Sequence, residues 1–514
     1  MLSKATRRVI DERLAQERGR IDKDAPLRVA LAYPSPYAVG MSSLGYQRIY
    51  RAIQAIEGAA AERIFLDDGA DRPNARLDRP VSYESLRPLD DFSIVAFSVA
   101  YENELVGLVR MLDAANIPLF SEARDESAPF VLIGGPLTFS NPLPISPFAD
   151  AIVMGEAEGI VEWAIETLAS EPSRAKRLEA LARHPHVFVP AHHGTRMPGI
   201  AACDAALLPA FSAIRTPQAE LSDMFLIEPE RGCSRGCTYC VMRRSTNGGM
   251  RLVPQAALLE AIPSDVRRVG LVGAAVSDHP RIVEIVRALA ERGCAVGLSS
   301  LRPDRLKDEF VEALKLGGYK TLTTALDGAS ERLRDLIERR GREPHYVQAA
   351  ERARKYGIEK LKLYLMVGLP GETDEDIDEC ARFVSELSRI IPVTLGIAPF
   401  CSKRNTPLDR TPFAGIARVE RRLDRLRRGL KGRAQVRATS ARWAWIEYVL
   451  AQGGVAEGVA AANAVRAGAR FSDFRRAFEE LGHRPDGSGY SASSTPLAPE
   501  RLRRRLAVVT PGAS

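Results

Sequence analysis

Long apolar runs are missing from this sequence, and cysteine, histidine and aromatic residues are scarce. No stretch approaches the ~18 consecutive apolar residues that a membrane-spanning helix needs, so we expect no membrane segment. Residues 1–20 mix acids with bases and hold no apolar segment, which argues against a secretory signal. The 514 residues are 45% apolar and 27% charged, proportions typical of a globular chain. We therefore expect a cytoplasmic protein of several domains.

The cysteine pattern excludes a disulfide-bonded framework. Seven cysteines is an odd and low count for this length, and three of them, Cys233, Cys237 and Cys240, lie close together. Secreted domains pair their cysteines, whereas a tight group in a reducing compartment is typical of a metal or cluster site.

The net charge of +7 is a small excess of base, and much of it lies in residues 418–442. Such runs can neutralise phosphate groups. Acidic residues interrupt this run, however, and aromatic residues for base stacking are missing from it, while Val419, Leu423, Leu426 and Leu430 recur at helical spacing. An amphipathic helix with a charged outer face is therefore favoured over a nucleic-acid site.

Short apolar runs alternate with helical patterns over residues 26–195, which predicts an α/β domain with a doubly wound, Rossmann-like sheet. The strand candidates are 28–33, 94–99, 130–133 and 151–154. Ligands of such sheets bind at the carboxyl ends of the strands. The turns PSPYAVG (34–40) and GGP (134–136) are therefore candidate ligand-binding segments.

A second alternating series covers residues 221–412 and predicts six βα units, typical of a barrel with its site on the loops after the strands. The strand candidates are 224–228, 268–272, 295–300, 321–325, 360–367 and 394–398. We expect residues 1–25 to be a lead-in, 196–220 a linker, and 413–514 a mostly helical region with a flexible tail.

The strongest chemical signal is EPERGCSRGCTYC (228–240), in which Cys233, Cys237 and Cys240 follow the first strand of the second series. Two glycines let this loop fold tightly, so three thiolates can converge on one centre. They would leave one iron of a four-iron cluster without a protein ligand. Zinc is the alternative, but it usually takes two ligand pairs, and the sequence has no second pair.

The C-x-x-x-C-x-x-C spacing, with Tyr239 before the last cysteine, resembles the radical S-adenosylmethionine (SAM) superfamily. The resemblance implies that Cys233, Cys237 and Cys240 are catalytic and metal-binding residues that hold a 4Fe-4S cluster. It implies reductive cleavage of SAM to a 5′-deoxyadenosyl radical that abstracts hydrogen from a substrate. A partial (β/α)6 TIM-like barrel and an electron-donor protein such as flavodoxin or ferredoxin are implied as well.

Three further segments agree with this resemblance. GLPGET (368–373) resembles the family's adenine-side motif, TTALDGASERLR (323–334) a segment with an acidic residue that helps to hold SAM, and LVGAAVSDHP (271–280) the segment near the SAM amino group. Asp327 stands where many relatives have glutamate. The residues implied to contact SAM are Tyr239, Gly273, Ala274, Ser299, Asp327, Arg334, Gly368, Leu369, Pro370 and Gly371.

The segments YPSPYAVGMSSLG, IVAFSVAYE and VLIGGP resemble the cobalamin-binding domain that precedes many radical SAM barrels. The implied cobalamin contacts are Tyr37, Gly40, Ser98, Gly134 and Gly135. Tyr37 stands in place of the histidine of the usual D-x-H-x-x-G fingerprint, so it cannot supply the imidazole ligand to cobalt. Cobalamin binding without that ligand and loss of the cofactor are both left open.

The sequence thus predicts an iron–sulfur enzyme that cleaves SAM, with cobalamin-dependent methyl transfer as the expected reaction if cobalamin binds. The second hypothesis is a cobalamin-free radical SAM enzyme whose first domain recognises the substrate. The third is a non-catalytic iron–sulfur electron carrier or sensor. None of the motifs identifies the substrate.

Overall fold

The computed structural model describes residues 3–70, 72–75, 77–242, 249–299 and 301–488. The chain forms two compact units, Met1–Phe225 with Gly453–Leu481 and Leu226–Gln452 with Gly482–Ser514. Ser300, at the end of one strand candidate, and most of the expected tail lie outside the described residues.

The strands and helices follow one another in the alternating order that the sequence predicts. The strands are β1 (Leu27–Pro36), β2 (Ala59–Leu66), β3 (Ile94–Ser98), β4 (Phe130–Gly134), β5 (Ala151–Val153), β6 (Val187–Phe188), β7 (Phe225–Ile227), β8 (Glu230–Arg231), β9 (Arg251–Leu252), β10 (Arg268–Leu271), β11 (Ala295–Leu298), β12 (Thr321–Asp327), β13 (Lys360–Val367), β14 (Val393–Pro399) and β15 (Gln435–Ala438). The helices are α1 (Lys4–Gln16), α2 (Tyr37–Gly40), α3 (Leu44–Ala55), α4 (Leu105–Ala114), α5 (Ile160–Ser170), α6 (Arg174–Ala182), α7 (Pro190–His193), α8 (Gln255–Glu260), α9 (Ile282–Glu291), α10 (Asp308–Leu316), α11 (Glu331–Leu336), α12 (Glu343–Lys355), α13 (Asp374–Ile390), α14 (Ile416–Gly429), α15 (Ala441–Gln452), α16 (Val455–Arg466) and α17 (Phe471–Glu480).

The first unit is built on a six-stranded sheet in the order β2-β1-β3-β4-β5-β6. The neighbouring strands from β2 to β5 pair in parallel, and β6 pairs with β5 in antiparallel fashion. The core residues of β1, β3 and β4 are buried, as expected for parallel strands with both faces covered. This is the doubly wound sheet that the sequence predicts.

Strand β2 is one that sequence reading misses. All eight of its residues are buried, including Glu62 and Arg63, which interrupt an otherwise apolar and alanine-rich run. Arg63 forms ion pairs with Glu17 at 2.7 Å and with Glu84 at 2.6 Å. Buried charges are tolerated only when they are paired in this way, so the strand depends on partners that lie far away in sequence.

Residues 453–481 complete the first unit rather than extending the second. Helix α16 packs against α4, and Gly458 approaches Pro144 so closely that a Cβ atom would lie 1.9 Å from its carbonyl oxygen. Arg466 adds an ion pair of 2.6 Å with Asp113. The late segment therefore has a structural role in the N-terminal unit.

The second unit is an open arc of parallel strands. One sheet has the order β11-β10-β7 and the other the order β12-β13-β14-β15. A parallel bridge between Leu301 and Thr324 connects the two. Strand β15 extends the six predicted strands by one, and it lies in a segment expected to be helical.

Helix α14 is the amphipathic helix predicted for the basic run. Val419, Leu423 and Leu426 are buried along one side. Arg425, on the outer side, pairs with Asp378 on α13 at 2.6 Å. Among the described residues, no helix has the length and apolar character that crossing a bilayer requires.

Candidate functional site

The three clustered cysteines lie on the loop that follows β8. Gly232, at the start of this loop, has a φ of 86°, a backbone conformation that glycine adopts without strain. Cys237 is 7% exposed, and Cys233 and Cys240 are half-buried. The loop therefore presents its thiols in a place that is largely shielded from water.

Backbone hydrogen bonds and one ion pair fasten this loop to the exits of three other strands. The N–H of Thr238 donates to the carbonyl of Ile337 at 3.1 Å, and Thr238 accepts from the N–H of Leu408 at 3.1 Å. Arg235 pairs with Asp278 at 3.2 Å. Because the segments after β10, β12 and β14 all hold it, the loop is positioned at the carboxyl ends of the strands, as in other α/β barrels.

The three thiols also influence one another electrostatically. Burial raises the pKa of each of them, and that of Cys240 rises to about 11. Both other thiols contribute to the increase at Cys240. Thiolates that repel one another are stabilised by a shared metal centre, which takes the place of their protons.

The spacing of these sulfur atoms bears on the choice between zinc and a larger cluster. Among the described residues, the one set of three ligand atoms all within 4.8 Å of one another is Glu156, Glu158 and Cys203, so at least one pair of the loop sulfur atoms lies more than 4.8 Å apart. Tetrahedral zinc would place its sulfur ligands about 3.8 Å apart, given Zn–S bonds of ~2.3 Å. Three thiol donors with at least one pair this far apart are compatible with the iron–sulfur cluster that the sequence predicts.

Tyr239 and Asp327, two of the implied SAM contacts, are bound to each other. The Tyr239 hydroxyl donates a hydrogen bond of 2.7 Å to Asp327 Oδ2, and Arg339 pairs with the same oxygen at 2.8 Å. Asp327 has a φ of 62°, so its backbone is strained where β12 ends. Although burial lowers it, the pKa of Arg339 stays above its ordinary value because of Asp327.

The structure brings Arg339, rather than the expected Arg334, beside the cysteine loop. Arg334 is 1% exposed and donates to the carbonyl oxygens of Gly341 at 2.7 Å and Gly328 at 3.2 Å. It therefore shapes the turn around α11. In the run IERRGR several arginines stand close together, and their spacing does not distinguish the one that reaches the loop.

The implied contacts near the SAM amino group lie around a residue that sequence reading missed, Glu230. Ser299 donates a hydrogen bond of 2.9 Å to the carbonyl of Gly273, and Ala274 is exposed. The Glu230 carboxylate accepts the N–H of Ala275 at 2.7 Å, and burial raises its pKa to about 7. A glutamate in the strand just before the first cysteine is the signal that could have identified it.

The GLPGE turn (368–372) closes the exit of β13. Gly368 and Gly371 have φ values of 96° and 70°, and Leu369 is buried while Pro370 is half-buried. Glu372 accepts hydrogen bonds of 2.7 Å from the N–H of Gly368 and from Arg422. Burial raises the pKa of Glu372 to about 7. The turn is thus held rigidly with its glycine backbone beside the strand end.

In the N-terminal unit, Tyr37 and Gly40 belong to the hydrophobic core. Tyr37 is fully buried and stacks on Tyr83 with ring centres 5.2 Å apart, and its hydroxyl donates to Glu17 at 2.7 Å. A Cβ atom at Gly40 would lie 2.6 Å from the Phe65 ring. Both residues therefore pack within the hydrophobic core of the chain.

The other three implied cobalamin contacts lie at the carboxyl ends of β3 and β4. Ser98 pairs with Gly134 in the sheet register. Gly135 has a φ of 108°, and a Cβ atom there would lie 2.6 Å from the carbonyl oxygen of Val99. A Cβ atom at Gly134 would meet only the Val153 side chain at 3.9 Å, so the protein's own backbone fills the space at Gly135 but not at Gly134. Three of the five positions, Tyr37, Gly40 and Gly135, are thus occupied by packing within the chain and do not line a space for cobalamin.

Comparisons with known proteins define the class. A family model described as "Radical SAM superfamily" matches residues 227–384, and one described as "Radical SAM proteins, N-terminal" matches residues 45–190. Together they cover more than half of the chain, which belongs to the radical SAM superfamily of enzymes. Within it, the chain is a member that carries this N-terminal region before the barrel. The predicted family and fold class are confirmed.

Named relatives extend these matches. An uncharacterised protein of Methanocaldococcus jannaschii is 27% identical over 75% of this chain and 80% of its own length. The ribosomal protein uS12 methylthiotransferase RimO of Geobacter sulfurreducens is 27% identical over 40% of this chain. The match covers 48% of the methylthiotransferase, so the chain spans about half of that relative's length.

The solved structures include a similar fold. The cobalamin-dependent S-adenosylmethionine radical enzyme OxsB, with aqua-cobalamin bound, gives a TM-score of 0.50 at 13% identity. The match covers 70% of this chain and 52% of the OxsB chain. At this identity the likeness is one of fold.

Proposed function

We propose that this chain holds a 4Fe-4S cluster on Cys233, Cys237 and Cys240 and cleaves SAM reductively. The observation that carries the proposal is that one buried and two half-buried cysteines share a loop that is fastened to the segments after β10, β12 and β14. The chemistry that the cluster and SAM supply when bound is one-electron cleavage, which yields a 5′-deoxyadenosyl radical for hydrogen abstraction. Superfamily membership supports this activity.

The chain's own residues bind, orient and shield SAM in this proposal. Tyr239, fixed by Asp327 and Arg339, lines the loop, and the GLPGE turn offers its backbone to the adenine. The segment 273–274 with Ser299 faces the amino acid part of SAM. The electron donor is proposed to be a flavodoxin or ferredoxin, and the seven free cysteines are consistent with the reducing cytoplasm.

We further propose that the N-terminal unit recognises the substrate without holding cobalamin at the five predicted positions. The packing of Tyr37, Gly40 and Gly135 against the chain's own atoms supports this choice. OxsB, whose fold is similar, binds cobalamin, so cobalamin-dependent methyl transfer is the alternative, and cobalt content distinguishes the two.

The test is anaerobic purification of the full chain, with iron, sulfide and cobalt measured, followed by an assay of 5′-deoxyadenosine from SAM and dithionite. Cys237→Ala should lower product at least ~100-fold, because the cluster loses a ligand. The control is Cys294→Ala, a buried cysteine outside the loop, which should keep full activity.

Undiminished product from Cys237→Ala would contradict the site. A wild-type protein that holds iron but forms no 5′-deoxyadenosine would support the electron carrier or sensor instead. Stoichiometric cobalt in the purified protein would overturn the cobalamin-free proposal.

A further inference from the structure

Glu230 is a buried carboxylate with one oxygen atom left over. It lies in β8 and is 1% exposed, and its Oε1 atom accepts the N–H of Ala275 at 2.7 Å. Its Oε2 atom is buried and has no hydrogen-bond partner among the described residues. A buried polar atom without a partner is costly, so it calls for an explanation, and a bound ligand or ion is one.

No cation of the described chain forms an ion pair with this carboxylate. The charged groups that act on Glu230 are Glu228 and Asp278, and both are acidic. Each already has its own arginine, since Glu228 pairs with Arg231 at 2.7 Å and Asp278 with Arg302 at 2.7 Å. A positive group that is not among the described residues would therefore complete the pairing of Glu230.

Gly273 leaves the space that the Glu230 carboxylate occupies. A Cβ atom there would lie 2.2 Å from Glu230 Oε1. The backbone of Gly273 does not have a positive φ, so close approach rather than conformation accounts for the glycine. Segment 273–275 and Glu230 thus form one unit at the exit of β10.

The position of Glu230 limits which ligand can supply the charge. It stands three residues before Cys233, and three extended residues span at most ~11 Å. A ligand held at the cysteine loop can therefore bring a cation to Oε2. SAM carries a primary ammonium group, a compact cation with three N–H donors, like that of lysine.

We propose that Glu230 Oε2 binds the α-ammonium group of SAM and so positions its amino acid part. This inference rests on the proposed function, because it requires SAM at the cysteine loop. An amine on the substrate has the same chemistry, and the experiment separates the two sources.

The test measures SAM binding to the anaerobically reconstituted full chain by equilibrium dialysis, without turnover. Glu230→Gln keeps the size and the bond from Ala275 but removes the charge. It should bind SAM about 10- to 100-fold more weakly, the usual scale for a charge-assisted hydrogen bond. The wild type should prefer SAM by a similar factor over the analogue that lacks the amino group, and the variant should lose most of that preference.

Two more variants test whether a weaker affinity for SAM is specific to the Glu230 carboxylate. Gly273→Ala keeps the charge but displaces the carboxylate, so it should also weaken SAM binding. Glu104→Gln changes a buried carboxylate of the other unit and should bind SAM as the wild type does. If Glu230→Gln does not load iron, two other measurements test the inference. They are the affinity of Gly273→Ala for SAM and the affinity of the wild type for the analogue that lacks the amino group.

Wild-type SAM affinity in an iron-loaded Glu230→Gln variant would overturn the inference and leave the carboxylate to an amine of the substrate. So would equal affinity of the wild type for SAM and the analogue. A wild type that loads iron but does not bind SAM contradicts the proposed function itself, and the two failures are thus distinguishable.

Discussion

Both units end their parallel strands in a row of turns, and a buried carboxylate at each edge uses its two oxygen atoms differently. In the first unit, Glu104 lies at this edge and uses both oxygens, accepting from Ser35 at 3.0 Å and from the N–H of Ala100 at 2.5 Å. In the second, Glu230 uses one oxygen and leaves the other bare. Two buried carboxylates in equivalent settings thus indicate different roles.

The close-approach glycines sharpen this contrast. In the first unit, Gly107 approaches the carbonyl oxygen of Pro34, to which a Cβ atom would be only 2.0 Å away, and Gly135 approaches Val99 in the same way. In the second, Gly273 approaches a carboxylate instead of backbone. Gly107 and Gly135 thus serve backbone packing at the first edge, whereas Gly273 makes room for the Glu230 carboxylate at the second. Changes at the first edge should therefore cost stability, and changes at the second should cost binding.

The largest expected effect on stability is in the core of the first unit. Arg63→Ala would leave Glu17 and Glu84 buried without their partner and should lower the free energy of unfolding by about 3–5 kcal/mol. Chemical denaturation followed by circular dichroism measures this. Arg79→Ala removes an exposed pair with Asp90, which water and salt screen, and should change the free energy of unfolding far less. A loss below about 1 kcal/mol for Arg63→Ala would mean that this core is not held by its charges.

A smaller effect is expected from Glu104, as a dependence of stability on pH. Burial raises the pKa of Glu104 from its ordinary 4.5 to about 6. The folded state therefore holds this proton more tightly than the unfolded state, so stability falls as pH rises from about 4.5 to about 6, by about 2 kcal/mol.

Glu104→Gln removes this ionisation and should flatten that part of the profile of melting temperature against pH. Glu122→Gln, at an exposed position of the same unit, is the control and should keep the wild-type slope. An unchanged slope in Glu104→Gln would show that another group titrates in this range.

The smallest effect should come from Tyr239→Phe at the second edge. Asp327 loses one hydrogen bond but keeps Arg339, so SAM should bind about 5-fold more weakly, close to the contribution of one hydrogen bond. Stability should change little. Tyr356→Phe removes a comparable Tyr–Asp hydrogen bond of 3.0 Å, with Asp308, and should not affect SAM binding. Equal SAM affinities in both variants would remove Tyr239 from the site.

Much of the fold was predictable because the local amino-acid composition identifies many of its strands. Apolar runs such as 130–133 and 360–367 are strands by composition alone, and β4 and β13 occupy them. Strand β2 was not predictable, since its Glu62 and Arg63 become acceptable only through partners brought close by folding. For the same reason β15, a short polar segment in a basic run, did not stand out as a strand.

Within the site, the sequence by itself determined the parts that depend on neighbours in the chain: the three-cysteine loop and the glycine turns after the strands. Only the tertiary structure decided that Arg339 faces the loop and Arg334 does not, that Glu230 is left with a bare oxygen, and that residues 453–481 join the first unit. The physical reason is that short-range spacing fixes what a loop can hold. Burial, charge pairing and close approach arise between residues that only folding brings together.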